Sequence, residues 1–176
     1  MRLLGAAAIL AVVALYFVYT ARRLDRLHAR IDAASAALDA QLRKRSAAVI
    51  GLSEELPRQV AARLTDAAAA VQAIPGLAHD REVAENRLSR ELAALAERRP
   101  AVFRSPTPAA VDVHDDALRA SIARRFYNDT VRDALVVRDR RVVRWLALAG
   151  HAPHPAYFEM DDEELPTPGI SVAPRA

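Results

Sequence analysis

The sequence predicts an all-α fold: an N-terminal transmembrane helix followed by an antiparallel bundle of about four long helices. Three observations carry this. An almost wholly apolar, uncharged run opens the chain, and apolar residues then recur at steps of three and four. Ala, Leu and Val dominate, with only 5 glycines and 5% aromatic residues, a balance that favours packed helices over sheets.

Between Arg2 and Arg22 lie 19 positions without a charge, including Leu3, Leu4, Ile9, Leu10, Val12, Val13, Leu15, Phe17 and Val18. As a helix this run is about 28 Å long, close to the hydrocarbon thickness of a bilayer. A cleaved signal peptide would want small residues near its end, and here Tyr16, Phe17 and Tyr19 stand there instead. Those tyrosines suit an interfacial aromatic belt. A buried core helix is seldom so uniformly apolar over this length. Residues 1–23 are therefore expected to be a single-pass anchor in the cell membrane. Arg22, Arg23, Arg26 and Arg30 follow it against Arg2 alone before it, which places the remaining domain on the cytoplasmic side. The absence of cysteine is compatible with a reducing compartment.

The domain is expected over 24–150, about 150 residues remaining after the anchor being enough for one core. Leu24, Leu27, Ile31, Ala34, Leu38, Leu42, Val49, Leu52 and Leu56 form the stripe of one long helix, uninterrupted by proline from Leu3 and so continuous with the anchor as a rod of roughly 80 Å. Pro57 opens a second, alanine-rich helix with Val60, Leu64, Ala68, Val71 and Ile74, closed by Pro75-Gly76. A third starts near Asp80 and carries Val83, Ala84, Leu88, Leu92 and Leu95 up to Pro100. Residues 100–112, with three prolines, read as a loop; Asp112, Asp115 and Asp116 then begin a fourth helix through Leu118, Ile122, Phe126, Leu135 and Val142 towards Gly150. Leu38, Leu42, Leu88, Leu92, Ile122 and Phe126 are the expected core. Beyond it, 151–176 reads as an extended strap and tail. Pro153 and Pro155 forbid a helix there, and Tyr157 or Phe158 should pin the strap near the fourth helix.

Three segments occur in order along these helices: Leu38-Asp39-Ala40-Gln41-Leu42-Arg43-Lys44-Arg45, Ala84-Glu85-Asn86-Arg87-Leu88-Ser89, and Arg124-Arg125-Phe126-Tyr127-Asn128-Asp129 with Val131. Together with the anchor they resemble the LemA family of bacterial membrane proteins, over roughly residues 24–160. The resemblance implies a membrane-anchored bundle of about four long antiparallel helices in a family of undefined biochemical activity. It marks Gln41, Arg43, Arg45, Asn86, Arg124, Arg125, Tyr127 and Asn128 as motif residues, read here as structural. Ala34 stands where the family usually has Trp, an Ile-Pro-Asn segment is missing around Ala48 to Leu52, and no second Tyr-Asn follows Val131.

Chemistry is sparse. No Gly-rich loop exists to cradle phosphate, and Ser53, Ser89 and Ser121 lack a histidine at helical spacing. His151 and His154 with Asp161 and Asp162 flank prolines and lack the fixed spacing of a metal site. No enzyme, cofactor or metal is expected. The net charge of +3 comes from 24 Arg and one Lys against 22 acids spread along the chain, without the basic stripe of a nucleic-acid binder. Pairs such as Glu55 with Arg58 and Asp129 with Arg132 read as surface chemistry. The expected role is a membrane-anchored scaffold or adaptor for an unknown protein partner. The alternative is an anionic-lipid-surface binder using Arg138, Arg140, Arg141 and Arg144 of the last helix.

Overall fold

The structure, a computed structural model, describes residues 2–138, 155–161 and 165–166; the side chains at 2–4, 6–9, 21, 24 and 138 lie outside the description. The described residues form five α-helices and no strand: α1 (Arg2–Glu54), α2 (Arg58–Ala73), α3 (His79–Arg98), α4 (Pro100–Arg104) and α5 (Pro108–Arg138). The chain is all-α. With no proline before Pro57, α1 runs unbroken for 53 residues, about 80 Å. Among the described residues no helix is long and apolar enough to cross a membrane.

Two compact units divide the chain. One comprises 1–34 with 127–157, and the other 35–126 with 158–176. In the second unit α2 packs on α3 as a helical hairpin closed by Gly76, whose φ of 72° is the left-handed conformation that glycine adopts without steric cost. Its core joins Leu52 of α1, Leu64 and Val71 of α2, Leu88 and Leu92 of α3, Phe103 of α4 and Val113 of α5. Hydrogen bonds from Gln72 Nε2 to Ser46 Oγ (3.3 Å) and between Ser53 and Thr65 hydroxyls (3.0 Å) tie α2 to α1.

Several sequence expectations are corrected. The 100–112 loop contains α4, whose Pro100 occupies the first turn and whose Phe103 is buried. The last helix begins at Pro108, four residues before Asp112, because Thr107 Oγ1 accepts the Ala110 N–H at 3.3 Å and supplies the start signal. Leu38, Leu42, Leu88 and Leu92 are fully buried, but Ile122 and Phe126 are 58% and 66% exposed. Two stripes share the helical period on α5. The small one, Val113, Ala117 and Ala120, turns inward, where close approach is available, and the bulky one, Leu118, Ile122 and Phe126, turns out. Asp129 and Arg132 do pair at 3.1 Å, whereas Glu55 and Arg58 fall on either side of the break between α1 and α2, so helical spacing cannot join them. Arg140, Arg141 and Arg144, with His151, His154 and Asp162, lie outside the described residues.

Candidate functional site

The buried face of α3 carries two parallel rows. Ala84, Leu88, Leu92 and Leu95 make the apolar one; Arg81, Glu85 and Ser89, four residues apart, make the polar one. Steps of three and four put both on one side of the helix. Arg81 and Glu85 have no exposed surface, and Arg45 from α1 is 3% exposed.

Glu85 accepts one hydrogen bond on each carboxylate oxygen, from Arg45 Nη1 and from Arg81 Nε, both at 3.1 Å. Arg45 Nη2 donates to Ser89 Oγ at 2.7 Å, and Arg81 Nη1 donates to the Ile74 carbonyl, tying the α2–α3 turn to the network. Asp39 Oδ1 lies 3.4 Å from Arg81 Nη1, near enough for charge attraction but without hydrogen-bond geometry. Two guanidiniums thus face two carboxylates. Burial pushes the Glu85 carboxyl above its ordinary value, against the pull of Arg45 and Arg81. Arg81 Nη2 and Gln41 Oε1 are buried without a hydrogen-bond partner.

An extended segment covers this row. Burial alternates along it, with Phe158 and Met160 inside and Tyr157, Glu159 and Asp161 outside, the period of a strand. Its Glu159 N–H donates to Glu82 Oε1 and its Asp161 N–H to Asn86 Oδ1, each at 2.8 Å. The geometry matches: four helical residues rise about 6 Å and two extended residues about 6.6 Å, so acceptors at i and i+4 meet alternate amides. Ser89 Oγ donates to the Asp161 carbonyl at 3.2 Å, and Met160 Sδ lies 3.5 Å from Arg45 Nη1. Residues 159–161 of the strap take their register from α3, while Ala156 meets Tyr127 of the last helix, near which the sequence places the strap.

Of the motif residues, Arg45 and Asn86 meet under and beside this strap. Arg43 is exposed and pairs with Asp39 at 2.9 Å, Gln41 is half-buried, and Arg124 and Arg125 sit on α5, half-buried and exposed. Tyr127, in the other unit with half-buried Asn128, donates its hydroxyl to the Ala156 carbonyl at 2.9 Å. Sequence reasoning missed Arg81, Glu85 and Glu82. The signal was the i, i+4 ladder 81–85–89 one step from an apolar ladder, which an isolated helix would turn to water.

Chemically the network is closed. Glu85 has both oxygens held by guanidinium groups and no exposure, so it has no access to a substrate; what it fixes is register between α1, α3 and the strap. Among the described residues no group of three His, Cys, Asp or Glu could hold a metal ion. An open feature lies in the other unit: a groove of about 610 Å³ between α1 and α5, lined by Tyr19, Arg23, Arg26, Arg30, Asp133 and Val136 among others. Compared with family models, curated proteins and solved structures, the chain matches none.

Proposed function

We infer that the protein is a membrane-anchored helical scaffold, a LemA-like bundle that presents a helix face to a protein partner on the cytoplasmic side of the cell membrane. The observation that carries this reading is the N-terminal part of α1. Leu10, Val12, Val13, Leu15, Tyr16, Val18 and Tyr19 are all exposed. At 100° per residue these positions point in every direction around the helix, and a helix apolar on all sides needs an apolar surround. Counted on the sequence, and so including positions whose side chains lie outside the description, the uncharged stretch from 3 to 21 has the length for a lipid surround. The partner face is the ridge of Leu118, Ile122 and Phe126 on α5, a contiguous exposed apolar row in a unit whose core is already filled.

Alkaline carbonate washing of membranes holding the full chain tests the anchor. The wild type should stay in the pellet, and L10R/V13R should move to the supernatant. Release of the wild type would overturn the reading.

A further inference from the structure

The groove between α1 and α5 begins where the proposed anchor ends, and its chemistry is that of an anion site. Tyr19, Arg23, Arg26 and Arg30 follow at steps of four, three and four, so one face of α1 lines it. Across from them stand Asp133 and Val136 of α5. Three cations against one acid leave an excess of positive charge, and among the described residues none of these three arginines is engaged in an ion pair. Arg26 does use its Nε–H on the Arg22 carbonyl at 3.1 Å, which lays the guanidinium along the helix. Arg23 is half-buried and Val136 exposed, so the groove has a charged wall and an apolar one.

We propose that this groove binds the headgroup of an anionic phospholipid in the leaflet from which α1 emerges, an inference that rests on the anchor reading above. The depth fits. If Tyr19 sits at the interface, Arg23 lies about 6 Å and Arg26 about 10 Å further along the axis, and Arg30 about 16 Å. The polar layer of a bilayer is about 5–8 Å thick on each side. Arg23 is then level with the phosphates, while Arg26, just beyond the polar layer, and Arg30 act through the surface field within a Debye length. A zwitterionic headgroup brings a cation of its own into a groove already rich in guanidinium, which favours the anionic class.

Native mass spectrometry of the full chain in detergent, with phosphatidylglycerol and phosphatidylcholine as probes, tests this. Phosphatidylglycerol should be retained about ten-fold over phosphatidylcholine or better, and R23Q/R26Q should abolish the preference, at roughly five-fold for each arginine lost. D133N should strengthen it, because the acid opposes the anion. R63Q/R98Q, which removes equal charge from the other unit, should leave it unchanged. Equal retention of the two lipids by the wild type, or equal loss in R63Q/R98Q, would overturn the proposal. So would displacement of the lipid by excess inorganic phosphate that itself stays bound, since the site would then serve a free anion. Carbonate washing of the same variants separates the two readings. Wild type that stays in the membrane without lipid preference defeats this proposal alone, and wild type that washes out defeats the anchor.

Discussion

Along α1, residues 10–19 turn Leu10, Leu15, Val18 and Tyr19 outward, while residues 38–53 bury Leu38, Leu42, Val49 and Leu52 and, beside them, Arg45. Leu15 is 76% exposed and Arg45 is 3% exposed on the same helix. Polarity alone does not assign these places. Arg45 can leave water because Glu85 and Ser89 meet its guanidinium, and Leu15 remains outside because no described element covers it. Burial belongs to the partner as much as to the residue.

The largest effect is expected at Glu85. Glu85→Ala takes from two buried guanidiniums the carboxylate they share, and urea denaturation should show a loss of about 3–5 kcal/mol. Replacing Arg45, Arg81 and Glu85 together by Met, Met and Leu should instead be near neutral or stabilising, because the desolvation of three charges disappears with them. A triple variant as damaged as Glu85→Ala would mean that the network contributes more than mutual compensation.

A second pair sharpens the contrast between faces. Leu92→Ala removes a fully buried side chain and should cost about 2–5 kcal/mol through the cavity it leaves. Ile122→Ala, on the outward ridge, should change stability by less than about 0.5 kcal/mol while weakening any partner that docks there. Equal losses at the two positions would place Ile122 in a core.

The smallest effect is the pH dependence. Glu85 has its carboxyl raised in the folded state by burial, against the pull of Arg45 and Arg81, so the folded chain holds that proton more tightly than the unfolded one. Its contribution is fully present below the unfolded value near 4.5 and is lost as pH rises through the folded value. The urea midpoint of the wild type relative to Glu85→Gln should therefore fall as pH rises through that window. A relative rise would show that ion pairing outweighs desolvation at this carboxylate.

Much of the architecture was legible because it is local. The proline-free stretch to Leu56, the breaks at Pro57, Pro75 and Pro100, and the stripe of Leu88 and Leu92 name α1, α2 and α3 nearly to the residue. The start of α5 was misplaced because several aspartate and proline signals compete there, and Thr107 takes the cap. Its inward face was misjudged because two stripes of the same period differ only in side-chain size. Arg45 and Asn86 stood out in the sequence, but Arg81 and Glu82 did not, since a charged residue on a helix ordinarily faces water.

Local sequence alone settles that this chain is helical, that its first turns are apolar on every side, and that no regular helix runs through Pro153 and Pro155, because backbone period and proline geometry are properties of neighbouring residues. Folding in three dimensions sets which of two stripes on α5 turns inward, that Arg81 and Glu85 are wholly buried, and that residues 159–161 take their register from α3. Those choices depend on what a distant segment supplies: the Arg45 guanidinium meets Glu85 across 40 positions of chain, and the Asp161 amide meets Asn86 across 75. No local pattern encodes such a meeting, because its free energy comes from desolvated charges and amides finding partners that only the folded chain brings within 3 Å or so.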